Sequence, residues 1–172
     1  MSRIGIISDT HGLVRPQALC ALASCMRILH AGDIGGGAIL AALSAIAPVT
    51  AVRGNNDIDA WGTSLPACDT VTFDGVRIHL SHDIADLAFD PVTTGVRVVI
   101  SGHSHKPAIG GHRGVLYINP GSAGPRRFRL PISVAILEIN GGKVTARLVE
   151  LTLPPIAGQR PTRRQAAGTR SA

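Results

Sequence analysis

Between Arg3 and Val52 three short apolar runs alternate with two Ala-rich segments, an order that few folds can accommodate. Arg3 to Ser8 is an isoleucine-rich run, as expected of a strand covered on both faces. Pro16 to Ser24 reads as a helix with proline in its first turn. Met26 to Leu29 is a second strand, Gly37 to Ala47 a second helix ending before Pro48, and Val49 to Val52 a third strand. A βαβαβ succession implies a parallel sheet, because parallel neighbours need long crossovers and the helices supply them.

The pattern changes from Thr70. Thr70 to Phe73 and Val76 to Leu80 flank Asp74-Gly75, a pair suited to the tight turn of a hairpin. A weaker helical stretch follows at Ile84 to Phe89, then strands at Arg97 to Ile100 and Val115 to Ile118. Ile132 to Ile139 and Val144 to Leu151 form a last hairpin about Asn140-Gly141-Gly142. The expected fold is α/β: a four-layer αββα sandwich of two mixed sheets with helices outside. A chain of 172 residues suits one such domain and is too short for two. With aromatics at only 3%, its core has to be built from Ile, Val, Leu and Ala. The domain is expected over residues 1–152. Residues 153–172 turn to Pro, Arg, Gln and Gly and read as a basic, disordered C-terminal tail.

That tail bears on the choice of partner. The formal charge is +6, but Arg160, Arg163, Arg164 and Arg170 lie in it, leaving 13 basic against 11 acidic residues in 1–159. The basicity therefore belongs mostly to the tail, and nucleic acid is not the expected partner. No apolar run is long enough for a membrane helix, and the N-terminus lacks the layout of a signal peptide, so a cytoplasmic protein without a membrane partner is expected. Cys20, Cys25 and Cys68 are odd in number and show no CxxC spacing; they read as small buried hydrophobes. Self-association into a homo-oligomer stays open.

Side chains able to bind metal collect just beyond the strands. Asp9 and His11 follow the first, Asp33 the second and Asn55 the third. His82 closes the middle hairpin, and His103 and His105 follow Arg97–Ile100. In open α/β sheets ligands bind outside the carboxyl ends of strands, so these positions can converge on one cleft. In Asp9-x-His11 and His103-x-His105, residues two apart in extended chain point the same way. Asp33, Asn55 and His103 each follow a glycine, which lets the chain turn sharply and leaves room for an ion. A lone Asp-x-His or Gly-Asn-Asn-Asp is an ordinary loop, but five such pieces in order, each at a strand end, make a metal site. His30 and Asp57 stand close enough in sequence to support the ligands from behind.

The order Asp9-x-His11, Gly32-Asp33, Gly54-Asn55-x-Asp57, His82, Gly102-His103-x-His105 resembles the calcineurin-like metallophosphoesterase superfamily. The small size and the Asn119-Pro120-Gly121-Ser122 segment are similar to its compact bacterial and archaeal phosphodiesterase branch. The resemblance implies a site for two divalent metal ions, Mn²⁺ foremost, with Ni²⁺, Co²⁺, Fe or Zn²⁺ open. Asp9, His11, Asp33 and His105 would hold one ion. Asp33, Asn55, His82 and His103 would hold the other, with the Asp33 carboxylate bridging in the catalytic role. The substrate implied is a small phosphodiester or nucleotide-like ester, attacked by water that paired ions activate. A phosphomonoesterase or nucleoside-polyphosphate hydrolase is the alternative enzyme. The alternative outside catalysis is a scaffold such as the eukaryotic retromer subunit, which resembles the family but has lost ligand residues.

Two positions depart from the family pattern. Asn56 stands where larger members carry a histidine thought to assist the leaving group, which implies slow turnover or a preference for good leaving groups. Asp83 stands where the family usually has glycine. Asn56 and Arg126, the latter in a Pro-Arg segment like one the family often carries, are the candidates for substrate contact, since guanidinium matches phosphate geometry. Removing residues 153–172 is expected to leave ester hydrolysis unchanged; a large loss in a turnover assay would put the tail in the site.

Overall fold

The computed structural model describes residues 1–152 apart from residue 128, and the expected tail lies outside the described residues. Ten strands and two helices follow in the order β1 (Ser2–Ile7), α1 (Pro16–Leu22), β2 (Arg27–His30), α2 (Gly37–Ser44), β3 (Val49–Ala51), β4 (Cys68–Phe73), β5 (Val76–Ser81), β6 (Val96–Ile100), β7 (Ala108–His112), β8 (Val115–Asn119), β9 (Ser133–Asn140) and β10 (Lys143–Glu150). They make two five-stranded mixed sheets, β10-β9-β1-β2-β3 and β4-β5-β6-β8-β7. In the first, β1, β2 and β3 run parallel as the βαβαβ order requires, and β9 joins β1 antiparallel. In the second, β5, β6 and β8 are parallel, with hairpin partners β4 and β7 at the edges.

The sheets stack because each presents an unbroken apolar face. Ile4 and Ile6 of β1, Leu29 of β2, and Ala135, Leu137 and Ile139 of β9 face Val76, Ile78 and Leu80 of β5 and Val98 and Ile100 of β6. Period-two alternation delivers them all to one side, and each fully buried Ile or Leu contributes about 1.5–3 kcal/mol relative to exposure. The outer face of the first sheet, with Ile7, Ile28, Val134 and Ile136, packs under Ala18 and Leu22 of α1 and Ile39 and Leu43 of α2.

The expected α/β sandwich is thus present, but its outer layers are unequal. The stretch Ile84 to Phe89 is no α-helix; it is a single 3-10 turn at Ile84–Asp86, after which Leu87 is extended. Leu87 and Phe89 pack on Val96, Val99 and Val115, so two anchors cover the outer face of the second sheet without a regular helix. Pro91 also disfavours helical backbone at the residue before it. Strand β7 was not apparent in the sequence, because Gly110-Gly111 hides its pattern; its five residues pair in full with β8. Of the cysteines only Cys25 is buried as expected, whereas Cys20, on α1, and Cys68, at the start of β4, are exposed. Among the described residues no helix is long and apolar enough to cross a membrane.

Leu80 is fully buried between the sheets and Leu148 on β10 is 37% exposed. Leu80→Ala is expected to cost about 2–5 kcal/mol in urea unfolding. Leu148→Ala should stay within about 0.5 kcal/mol; equal losses would contradict this assignment of the core.

Candidate metal centre

All seven candidate side chains lie at one end of the stacked sheets. The loop after β1 carries Asp9 and His11, the loop after β2 carries Asp33, and the loop after β3 carries Asn55. The second sheet contributes His82 after β5, and His103 and His105 after β6. Pairing continues beyond the strands: Asp9 N–H donates to Gly32 O, His11 N–H to Asp33 O, and Gly102 N–H to His82 O. Adjacent loops therefore keep register where their strands have ended.

The backbone at these positions is unusual. Asp9, His11, Asp33, His103 and His105 have φ between 45° and 63°. The remaining non-glycine residues with positive φ among the described residues are Asp74 and Arg113, both in hairpin turns before glycine. Left-handed backbone is uncommon and mildly costly for such residues, and it concentrates at functional sites. Here it turns each side chain inward from the loop. Of the neighbouring glycines, Gly32 at φ 89° makes the sharp turn read from sequence, whereas Gly54 and Gly102 serve another need. A Cβ on Gly54 would collide with the Asp33 carboxylate, and one on Gly102 would stand 2.7 Å from Asp9 Oδ2. They make room for the other loops' side chains.

Two overlapping groups of polar atoms result. Asp9 Oδ1 is 3.3 Å from His105 Nε2, and His105 Nε2 is 3.4 Å from His11 Nε2. Asp33 Oδ2 lies 3.7 Å from His11 Nε2 and 3.4 Å from His82 Nε2, so it faces both groups. Asn55 Oδ1 is 3.1 Å from His82 Nε2 and 3.0 Å from His103 Nδ1. Carboxylate and imidazole atoms of Asp9, His11 and His105, and of Asp9, Asp33 and His82, lie within 4.8 Å of one another, close enough to surround an ion.

The supporting residues expected from sequence are in contact with these loops. Asp57 accepts hydrogen bonds from the backbone N–H groups of Ile34, Gly35 and Gly54, tying the Asp33 loop to the Asn55 loop. Buried His30 meets Thr10 Oγ1 at 2.9 Å, and that hydroxyl donates its one proton to Ile34 O. His30 is therefore the donor, through Nε2–H, and it steadies the residue between Asp9 and His11. Other braces were not recognised in the sequence. Asn119 donates to Gly102 O and Ser104 Oγ, and Ser122 donates to Asp9 O, so Asn119-Pro120-Gly121-Ser122 supports ligand loops of both sheets. An amide and a hydroxyl flanking a rigid Pro-Gly turn was the available signal.

Asn56 donates its backbone N–H and its side-chain amide to the two oxygens of Asp33. Arg126 is exposed; the charge felt at His11 and His105 is that of the next residue, Arg127. A cavity of about 420 Å³ opens beside Asn55, His82 and His103, walled by Arg53, Ala67, Asp83 and Asp86.

The electrostatics favour cations. Burial pushes the Asp9 carboxyl up to about 6, although Ser8, His82 and the His103 backbone N–H pull against it. The Ser8 hydroxyl is itself donated to Ala31 O, and neither Asp9 oxygen has a hydrogen-bond partner among the described residues. At Asp33 burial acts the same way, but hydrogen bonds from His82 and Asn56 outweigh it and hold the carboxyl well below the usual range. Burial, then the Arg127 charge, lowers His105 to about 4, and burial lowers His11 against the pull of Asp33. Neutral imidazoles beside a carboxylate with no hydrogen-bond partner, in a set of nitrogen and oxygen donors, fit divalent transition cations.

Comparison with known proteins agrees with this geometry. The family description for the calcineurin-like phosphoesterase superfamily domain matches residues 2–142. A probable metallophosphoesterase of Methanothermobacter thermautotrophicus is 35% identical over 163 residues, covering 88% of this chain and 94% of that protein. Among solved structures, Vps29 of Chaetomium thermophilum superposes with a TM-score of 0.70 at 22% identity, covering 89% of this chain and 98% of that one. A structure described as a novel archaeal phosphodiesterase gives 0.68 at 23% identity, covering 86% and 99%. At such identities the structures show a shared fold, whereas the family match and the close relative show descent. The chain belongs to the calcineurin-like phosphoesterase superfamily and is a metallophosphoesterase, a hydrolase acting on phosphoric ester bonds.

Proposed function

We propose that the chain hydrolyses small phosphodiesters with two divalent cations, Mn²⁺ foremost, held in the cluster described above. The observation that carries this reading is Asp33, whose Oδ2 faces imidazoles of both groups and can serve two ions at once. Asp9, His11, Asp33 and His105 would hold one cation, and Asp33, Asn55, His82 and His103 the other. When bound, such ions supply Lewis acidity that polarises a phosphoryl oxygen and makes water nucleophilic near neutral pH.

The chain's own residues prepare the site. Asp33 is kept ionised by the hydrogen bonds around it, and His11 and His105 are kept neutral by burial. His82 donates Nδ1–H to Ala31 O at 2.7 Å, which turns Nε2 toward Asp33 and Asn55. Burial lowers the His82 pKa, but the hydrogen bonds to Asp33 and Ala31 O outweigh it and raise it, so Nε2 would meet a cation only once its proton has left. Arg127, with Arg126 beside it, supplies positive charge on the His11 and His105 side for an anionic ester.

The cavity and the fold favour a diester, and Asn56 bears on the leaving group. The cavity beside Asn55, His82 and His103 offers room for a second ester group. Asn56 binds Asp33 and carries no acidic proton, so the leaving group departs without a protein acid at that position. The fold is also similar to that of the archaeal phosphodiesterase.

After removal of metal with chelator, Mn²⁺ is expected to restore hydrolysis of bis(p-nitrophenyl) phosphate, with p-nitrophenyl phosphate a poorer substrate. Asp33→Ala should lower that activity by more than about 100-fold, beyond the 10–100-fold typical of a supporting residue. Inactivity with every metal would point to a binding scaffold, and rapid cleavage of alkyl diesters would refute the assignment at Asn56.

The Asp9 shift sets a pH dependence. In the cation-free chain its carboxyl titrates near 6 instead of 3.8, so ionised Asp9 opposes folding; this stability is full below 3.8 and lost as pH rises through 6. A cation reverses that penalty at neutral pH but must displace a proton in acid. Mn²⁺ should therefore raise the melting temperature more at pH 7 than at pH 5, and its affinity by calorimetry should fall about tenfold per unit below pH 6. A pH-independent affinity would contradict the proposed role of Asp9.

A further inference from the structure

Histidine can face a cation with either ring nitrogen, and what the other nitrogen binds decides which. At His82 the backbone decides, since its Nδ1–H is taken by Ala31 O. His103 presents the opposite atom: Nδ1 lies 3.0 Å from Asn55 Oδ1, and Nε2 lies 3.6 Å from Asp83 Oδ2. The other close His–Asp approaches among the described residues all involve the candidate ligands Asp9 and Asp33; Asp83 meets its histidine from behind.

Asp83 is itself held in place. Its Oδ1 accepts the Ala85 N–H at 3.0 Å as the N-cap of the Ile84–Asp86 turn, and Ser81 Oγ donates to its carbonyl at 3.2 Å. One oxygen is thus used to fix the side chain, and the other is free to face His103. At 3.6 Å the contact is longer than a hydrogen bond, and contacts of this kind often tighten when a site is loaded.

We propose that Asp83 is a positioning residue for His103: Asn55 Oδ1 accepts the Nδ1–H as the structure stands, and once a cation displaces that proton the Asp83 carboxylate takes the Nε2–H and holds the tautomer whose Nδ1 lone pair faces the position shared with Asn55 and His82. The inference rests on the two-cation reading. Carboxylates that orient ligating imidazoles also raise their basicity, and their loss typically costs 10–100-fold in metal affinity.

The test uses the full chain, freed of metal, in which stepwise binding of Mn²⁺ is followed by calorimetry. The His103 tautomer is read from imidazole nitrogen NMR shifts in the metal-free and Zn²⁺-loaded protein. Asp83→Ser keeps a good cap for Ala85 but cannot reach His103. Asp83→Asn keeps an acceptor oxygen. Asp83→Ser is expected to weaken the second binding step by about 10–100-fold, leave the first unchanged and redistribute the His103 tautomers; Asp83→Asn should retain the parent tautomer and part of the affinity. The proposal is overturned if Asp83→Ser binds both equivalents like the parent with an unchanged tautomer, or if both steps weaken equally. A parent chain that binds only one equivalent would instead overturn the two-cation reading. The tautomer in Asp83→Asn decides the role of Asp83 even where Asp83→Ser does not fold.

Discussion

The unpartnered carboxylate of Asp9 is the constraint around which the rest of the molecule is arranged. It is wholly buried at the end of a core of isoleucine, valine and leucine, and neither of its oxygens has a hydrogen-bond partner among the described residues. Asp33, only 2% exposed, stands nearby and remains ionised because His82 and Asn56 donate to it. Ionised Asp9 in so dry a place opposes folding unless positive charge arrives. His11 and His105, kept neutral by burial, bring lone pairs, not charge. The imbalance is what a cation site requires, and it explains why a domain with an otherwise ordinary core tolerates such a cluster.

Holding the cluster open requires backbone that would be unfavourable elsewhere. Five of the seven candidate ligands sit at positive φ, and their loops are secured by contacts that do not reach the centre of the site. Asp57 binds three backbone N–H groups across two loops, His30 and Thr10 stiffen the first, and Asn119 and Ser122 reach both sheets. Many weak, well-directed hydrogen bonds replace the regular ladder that ended with the strands. Preorganisation of this kind lets the ligands keep their geometry without a cation to gather them.

Neither sheet carries a complete site. Asp9, His11, Asp33 and Asn55 belong to the first, and His82, His103 and His105 to the second. The apolar faces that bring Ile4, Ile6 and Leu29 against Ile78, Leu80 and Ile100 therefore also set the distance between the two halves. Core packing and chemistry are coupled: a shift between the layers would part His105 from Asp9 and His82 from Asp33.

Much of this was legible in the chain. The βαβαβ order, the Asp74-Gly75 hairpin and the final hairpin were written in local periodicity and turn chemistry, and the seven candidate positions in the types of residue that follow each strand. These are properties of neighbours in sequence, and so the sequence by itself determined them. The thin outer layer at Ile84–Phe89, strand β7 and the exposure of Cys20 and Cys68 were not legible, because packing and pairing with distant segments overrode weak local preference. The same holds for the way Gly54 and Gly102 yield space to Asp33 and Asp9, for the embrace of the ligand loops by Asn119 and Ser122, and for the approach of Asp83 to His103. Residue types could name the donors; only the stacking of two sheets decided which atom of each faces inward, because that depends on what stands behind it in space.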